Sequence, residues 1–185
     1  MGRLMEWAFY PTLLYNLARN RLSASGWPWF TRVDDTVILG ALPFKSMVDE
    51  LVQEERVGGV LCLNEAHEMS HAWVAQKADW ESRSVEFYWL PVPDFVHAPP
   101  HCDLAHAVQF IRRFQHTGRS VYVHCKAGRT RSATAVAAYL MQKHGWLPNV
   151  AVNYVMQKRP HIILRHAHWT CLFDYSKELG QEQAK

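Results

Sequence analysis

The hydrophobic positions of the chain fall into short runs rich in β-branched and aromatic residues, separated by longer stretches with helical spacing. Four of the runs predict strands, because residues of this kind favour extended structure and turn residues bound each run. They are TVILGALP, which also fits a hairpin, GGVLCLN, VEFYWLPV and SVYVHC. Strands that alternate with helices predict an α/β fold, with a central, mostly parallel sheet of about four to five strands flanked by helices.

Three of the intervening segments predict helices. Asp103 is interpreted as the N-cap of the first, which carries an apolar face and ends near Gly118. The segment TRSATAVAAYLMQKHG is apolar on nearly all sides and predicts a central buried helix that ends at Gly145. Pro148 predicts the start of a helix that runs to about Lys158, because proline is tolerated in the first helical turn.

The N-terminal segment differs in character from the rest of the chain. Arg3, Arg19 and Arg21 stand there against one acid, Glu6, and Pro11 interrupts an apolar stretch too short to span a bilayer, which needs about 20 apolar residues. This composition predicts a targeting or membrane-contacting segment, with a helix packed on the domain and a secretory signal as alternatives. The chain therefore divides into this segment with its joint, residues 1–26, one compact domain, residues 27–179, and a polar tail, residues 180–185.

Composition and charge narrow the range of functions. A chain of 185 residues, 49% of them hydrophobic, suits a single domain, for which we expect a monomer. A formal net charge of +3 without a lysine and arginine run argues against nucleic-acid binding. The four cysteines are widely spaced and form no CxxC pair, which argues against a disulfide framework and a four-thiolate zinc site.

Two groups of histidines raise the alternative of a metal site. Their spacing matches no recognised zinc pattern, and the first group spans two prolines and a helix start, so we predict no metal. Histidines that lie on the surface or face an anion are the simpler interpretation. The groups are His97, His101, Cys102 and His106, and His161, His166 and His168.

The phosphate loop, residues 125–131 (CKAGRTR), joins the last predicted strand to the buried helix. A tight loop in that place can direct several backbone N–H groups at one point and so bind an anion. Gly128 supplies the backbone freedom of the turn, and Arg131 can donate two parallel hydrogen bonds to a phosphate. Cys125 would face the bound anion, and it needs hydrogen bonds from several N–H groups to become a thiolate.

With His124 before the cysteine and Ser132 after the arginine, this stretch is the H-C-x5-R-S signature of the cysteine-dependent tyrosine and dual-specificity phosphatases. FYPTLLYNL, RVDDTVILGALPFKS, LNEAHE and QKHGW also resemble landmarks of the mitochondrial phosphatidylglycerophosphate phosphatases within that family. The resemblance runs from Phe9 to Trp146. It implies metal-independent hydrolysis of phosphate monoesters, without a cofactor, on an anionic phospholipid that is a precursor of cardiolipin. It also implies peripheral binding to the matrix side of the mitochondrial inner membrane.

The resemblance further implies the roles of individual residues. Cys125 is expected to attack phosphorus, Arg131 and the loop amides to hold the phosphate oxygens, and Asp94, in a Pro-rich loop after a strand, to act as general acid. Other residues are expected to bind or support the phosphate: His124 by orienting the loop, Lys126 by adding charge at the rim, Ser132 by stabilising the departing thiolate, together with Ala127, Gly128, Arg129 and Thr130.

The sequence leaves the substrate open. A phosphoprotein phosphatase or a phosphoinositide phosphatase would share the loop, and a catalytically silent phosphate-binding module or a sulfur transferase would share part of it. The silent module is disfavoured because nucleophile, arginine and acid are all present. Scattered basic residues support a lipid surface as the partner: Arg112, Arg113, Lys158, Arg159 and Arg165. Two sites depart from the family, which has Glu-Glu-Tyr-Glu where this chain has Glu65-Ala66-His67-Glu68, and a glutamine in place of His168.

Overall fold

The structure, a computed structural model, describes residues 10–11, 13–15, 17–20, 27–94 and 101–183. Its centre is a five-stranded sheet in which the first two strands pair antiparallel and all other neighbours pair parallel. The predicted α/β fold is confirmed. The strands are β1 (Phe30–Arg32), β2 (Val37–Gly40), β3 (Val57–Cys62), β4 (Glu86–Trp89) and β5 (Ser120–His124), in the order β1-β2-β5-β3-β4.

The four predicted strands correspond to β2, β3, β4 and β5. The edge strand β1 was not predicted, because its three residues are too few to show an alternating pattern. It pairs with β2 as an antiparallel edge, with Phe30 opposite Gly40.

Side chains of β5 alternate between the two faces of the sheet. Val121 and Val123 lie in the larger core, whereas Tyr122 lies in the smaller core on the opposite face, where its ring tilts against His124. Cys125 follows the strand and continues the alternation, so it lies on the side of the larger core and is buried.

Helices cover both faces of the sheet. Among the described residues, the four longest helices pack over the larger core, and shorter helices cover the other face. The helices are α1 (Val48–Gln53), α2 (Ala66–Met69), α3 (Lys77–Glu81), α4 (His101–Arg112), α5 (Arg131–His144), α6 (Pro148–Lys158) and α7 (His166–Gln183), with a 3-10 turn at Lys45–Met47.

The buried helix predicted from the sequence is α5. Its residues from Arg131 to Met141 are all buried, and it ends at Gly145, whose φ of 67° gives the left-handed C-cap that glycine adopts without strain. The next helix, α6, runs from Pro148 to Lys158, as predicted.

Two predictions at helix ends differ from the structure. The interpretation of Asp103 as an N-cap is wrong, because α4 already includes His101 and Asp103 lies within its first turn. A carboxylate there still interacts favourably with the positive end of the helix dipole. The C-terminal helix α7 was not assigned from the sequence, and it continues to Gln183, past the predicted domain boundary at residue 179.

Part of the N-terminal segment packs against the domain. The described positions between 10 and 20 are helical, and Leu13 is buried in a small core with Leu42, Met69 and Val74. The folded unit therefore extends before residue 27, while a role of the segment in targeting stays a prediction. In the described part of the chain, no helix combines the length and apolar character needed to cross a bilayer.

Candidate active site

The phosphate loop lies at the carboxyl end of the central strand β5, between the ends of β2 and β3. The N–H of Leu42, just beyond β2, donates to the carbonyl oxygen of Lys126 at 3.3 Å, and the N–H of Leu63, just beyond β3, donates to that of His124 at 3.0 Å. The carboxyl ends of parallel strands are the usual place for a ligand in open α/β sheets.

Gly128 allows the loop to pack closely against the end of β2. Its φ is +65°, and a Cβ atom at this residue would lie 2.5 Å from the carbonyl oxygen of Gly40. Any side chain would therefore collide with backbone that cannot move without distorting the sheet.

Arg159 holds the loop from behind. The side chain is 1% exposed, and its Nε donates to the carbonyl oxygen of Gly128 at 2.9 Å. Its Nη1 donates to the carbonyl oxygen of Pro28 at 2.9 Å and to the Thr31 hydroxyl at 3.0 Å. Burial lowers the pKa of Arg159 to about 10, so the group stays cationic at neutral pH. The interpretation of Arg159 as a basic residue facing a lipid surface is therefore wrong.

Cys125 lies in surroundings that favour its thiolate. Burial alone would raise the pKa of the thiol, but the charge of Arg131, the Ser132 hydroxyl, and hydrogen bonds from the backbone of Ser132 and Arg129 outweigh burial and lower it. The Cys125 Sγ and Ser132 Oγ atoms are 3.2 Å apart. Cys62 gives a contrast within the same molecule, since burial raises its pKa to about 12.

Arg131 is fixed by a buried carboxylate. Its Nη1 and Nη2 donate to the two oxygens of Glu68 at 2.8 and 3.0 Å, and Nη1 also donates to the carbonyl oxygen of Val92 at 3.0 Å. The Arg131 and Glu68 side chains are 2% and 1% exposed. A bidentate pair of this kind sets the plane of the guanidinium group.

The Glu65-Ala66-His67-Glu68 segment links Arg131 to the backbone at Asp94. Its two glutamates form the capping box of α2, in which the Glu65 N–H donates to Glu68 Oε2 at 2.8 Å. Glu65 Oε2 in turn accepts a hydrogen bond of 3.4 Å from the backbone N–H of Asp94. The positions that depart from the family, Ala66 and His67, lie between these two glutamates.

The Asp94 carboxylate lies between two cations. Its Oδ2 atom is 2.5 Å from Lys126 Nζ, and its Oδ1 atom is 3.2 Å from Arg131 Nη2. Lys126 was expected to add charge at the rim, and the structure places its buried side chain inside the cleft instead. Asp94, Lys126 and Arg131 therefore meet at one point, beside the loop that carries Cys125.

These residues surround a cleft of about 160 Å³. Four of its described lining residues are basic and one is acidic, so the cleft favours an anion. The sequence interpretation did not place Tyr15 or Ile163 in the site. The lining residues are Tyr15, Asp94, Cys125, Lys126, Ala127, Arg129, Thr130, Arg131, Ile163 and Arg165.

The other predicted loop residues support the cleft from within the fold. His124 and Ser132 are fully buried, and Gly128 lies against β2. Burial and the charge of Arg131 lower the pKa of His124 to about 3, so its ring is neutral at physiological pH. His124 therefore adds no positive charge beneath the loop, and its role in orienting the loop stays a prediction.

The histidine groups form no metal site in the part of the chain that the structure describes, where no three His, Cys, Asp or Glu side chains lie close enough to hold an ion. Of the first group, His97 lies outside the described residues, as do the side chains of His101 and Cys102. In the second group, the ring of His161 stacks on Trp27 at a centroid distance of 4.2 Å.

Comparison with known proteins places this geometry in a family. Residues 51–178 match the model of the dual specificity phosphatase catalytic domain. The chain is 42% identical over 178 residues to the rat phosphatidylglycerophosphatase and protein-tyrosine phosphatase 1, covering 96% of this chain and 92% of the relative. It is 39% identical over 167 residues to the Arabidopsis thaliana phosphatidylglycerophosphate phosphatase PTPMT1, covering 90% of this chain and 48% of that protein.

A solved structure shows the same fold. The crystal structure of PTPMT1 in complex with PI(5)P superimposes with a TM-score of 0.80 at 39% sequence identity, and the match covers 84% of this chain and 99% of that one. The domain match, the relatives and the fold agree with the loop described above, and the chain therefore belongs to the dual-specificity branch of the cysteine-dependent phosphatases.

Proposed function

We propose that this protein removes the phosphate from phosphatidylglycerophosphate, giving phosphatidylglycerol, through a phosphocysteine intermediate. The observation that carries the chemistry is the meeting of a thiol of lowered pKa, a fixed arginine and a carboxylate in one cleft. The proposed reaction uses these groups, the backbone of the cleft and one water molecule.

In the first step, the thiolate of Cys125 attacks phosphorus as the bond from phosphorus to the alkoxide oxygen breaks. Asp94 gives its proton to the departing alkoxide, which leaves as an alcohol. Arg131 and the backbone N–H groups of the loop stabilise the charge on the phosphoryl oxygens. Most of the rate enhancement in phosphoryl transfer comes from positioning and charge stabilisation of this kind.

In the second step, water attacks the phosphorus of phosphocysteine and the carboxylate of Asp94 takes a proton from it. The bond from sulfur to phosphorus breaks, and inorganic phosphate and the Cys125 thiolate are released. Ser132, whose Oγ atom is 3.2 Å from the sulfur, donates a hydrogen bond to the departing thiolate. The enzyme returns to its starting state.

A lipid substrate is supported by the relatives and by the charge of the cleft. The rat and Arabidopsis proteins carry the name phosphatidylglycerophosphatase or phosphatidylglycerophosphate phosphatase, and the similarity spans almost the whole of this chain. A phosphoinositide is the second candidate, because the related crystal structure holds PI(5)P. Both ligands present an anionic phosphate monoester on a polar head group above two acyl chains.

Phosphatidylglycerophosphate in vesicles is expected to be hydrolysed with a kcat/KM at least about 10²-fold above that of phosphotyrosyl or phosphoseryl peptides, because lipid binding energy adds to that of the phosphate. Phosphate release should be compared on the two peptides, on phosphoinositide vesicles and on phosphatidylglycerophosphate, with detergent micelles as a control for surface presentation. A preference for the peptides would replace the lipid proposal by a protein phosphatase.

We further propose that the protein acts at the matrix side of the mitochondrial inner membrane, as a peripheral enzyme that supplies phosphatidylglycerol for cardiolipin. The support is the basic, acid-poor composition of residues 1–26. The full chain with a C-terminal fluorescent protein is expected in mitochondria, protected from protease until the inner membrane is opened. Residues 1–30 alone should carry the same fusion there. A diffuse cytosolic signal from the full chain contradicts this location.

A further inference from the structure

A row of exposed apolar side chains lies beside the mouth of the cleft. Tyr10, Leu14 and Tyr15 of the N-terminal helix and Ile163 are each about half-exposed or more, with Leu14 at 63%. Tyr15 and Ile163 also line the cleft, so the row begins at the opening through which a substrate must pass. We call Tyr10, Leu14, Tyr15, Trp73 and Ile163 the apolar rim.

Ring contacts connect the N-terminal part of the apolar rim with Trp73. The ring of Tyr10 packs on His71 at a centroid distance of 5.3 Å, and His71 stacks on Trp73 at 5.1 Å. Tyr10 and Leu14 are four residues apart and therefore lie on the same side of the helix. Aromatic and apolar residues that gather on one exposed patch mark an interaction surface more often than isolated ones do.

The N-terminal helix is anchored so that this face points outward. Leu13 is buried beside Leu42 and Val74, and Leu17 packs against the same core. With these residues inward, Leu14 remains on the solvent side. The N-terminal part of the rim is thus held by a core that also contains Cys62 at the end of β3.

Basic residues flank the apolar rim. Arg129 and Arg165 line the cleft, and the guanidinium of Arg19 lies 5.8 Å from the centre of the Tyr15 ring. Arg19 and Arg129 also lie over the ring of Trp27, at 4.7 and 5.2 Å, which holds their charges close to the opening. Apolar and aromatic side chains flanked by arginines are what an anionic membrane surface attracts.

We infer that the apolar rim docks the enzyme on an anionic phospholipid bilayer, with Tyr10, Leu14 and Tyr15 entering the interface and Arg19, Arg129 and Arg165 meeting lipid phosphates. The inference builds on the proposed lipid substrate. Cys125 lies at the base of the cleft, so a lipid whose tails stay in the bilayer can reach it only if the mouth faces the membrane. The charge and the place of the rim favour a bilayer over a protein partner.

Leu14→Glu tests the rim, with Leu147→Glu as its matched control. Leu14 and Leu147 are equally exposed, at 63%. Leu147 follows the far end of α5, whose 14 residues rise about 1.5 Å each and so span roughly 20 Å from Arg131. Both variants should retain wild-type turnover of p-nitrophenyl phosphate, since neither residue lines the cleft.

Vesicles of phosphatidylcholine with phosphatidylglycerol serve as the probe, with pure phosphatidylcholine for comparison. Sedimentation with the mixed vesicles, and turnover of phosphatidylglycerophosphate in them, should fall at least about fivefold in Leu14→Glu and stay within about twofold of wild type in Leu147→Glu. Leu14→Phe should bind as wild type does, because it keeps an apolar side chain at the interface.

Three results would overturn the inference. The first is an equal loss of vesicle binding in Leu14→Glu and Leu147→Glu. The second is failure of the wild type to sediment with either kind of vesicle. The third is a wild-type dimer, seen by sedimentation velocity, that Leu14→Glu dissociates without changing vesicle binding, which would make the rim a contact between two copies. If only Leu14→Glu loses vesicle binding and phosphopeptides are the better substrates, membrane docking by the rim is confirmed and the proposed lipid substrate is wrong.

Discussion

Replacement of Cys125 by serine is expected to abolish turnover of all phosphate monoesters, by at least about 10⁴-fold in kcat, and to leave their binding intact. A hydroxyl is a far weaker nucleophile than the thiolate that Arg131 and the loop N–H groups stabilise. The cleft keeps its cations in the variant, so inorganic phosphate should still bind. Phosphate release measures turnover, and isothermal titration calorimetry with inorganic phosphate measures binding.

Cys171→Ser is the control for this prediction. Cys171 is a partly exposed cysteine of α7, where burial raises the pKa of the thiol to about 11. Its replacement should leave kcat near the wild-type value. If turnover survived in Cys125→Ser and was lost in Cys171→Ser, Cys125 would not be the nucleophile.

Replacement of Asp94 by asparagine is expected to reduce kcat on alkyl phosphates by about 10²–10⁴-fold, the usual contribution of a general acid. The loss should be much smaller for p-nitrophenyl phosphate, whose leaving group departs without a proton. A general acid must be protonated, so the wild-type kcat should fall as the pH rises, and this decline should be absent in the variant. Initial rates across the pH range on both substrates measure these effects.

Asp103→Asn is the matched control, because Asp103 lies in the first turn of α4 and not in the cleft lining. If Asp94→Asn retained the wild-type rate on an alkyl phosphate, the acid would have to be sought elsewhere. Glu65 would then be the next candidate, because it lies beside the Asp94 backbone. Glu68 is less suited, since both of its oxygens bind Arg131.

The parts of the fold that the sequence predicts well are those with strong local signals. β5, the phosphate loop and α5 follow one another within a single stretch of sequence. Gly145 marks the end of α5, and Pro148 marks the start of α6. Such signals need no knowledge of distant residues. The short helices α1, α2 and α3 lack them, because four to six residues are too few to show helical periodicity.

The contacts that complete the site depend on residues far apart in the chain. Glu68 reaches Arg131 only because β3 and β5 are neighbours in the sheet, and nothing in the local sequence shows that pairing. Arg159 looks like a surface residue beside Lys158, yet it is buried behind the loop. Tyr15 reaches the cleft from a helix that Leu13 and Leu17 anchor on a distant part of the fold.

The sheet order places Cys125 and Asp94, the two residues proposed to carry the chemistry, in regions of different local stability. The proposed nucleophile, Cys125, follows the central strand β5 and leads into a helix that is buried over most of its length. The proposed acid, Asp94, follows β4, which lies at the edge of the sheet. Amide hydrogens in a central strand and a buried helix exchange with solvent mainly when the whole domain unfolds, while those at an edge exchange through local opening. Heat or denaturant should therefore separate the acid from the cleft before the anion-binding loop itself is lost.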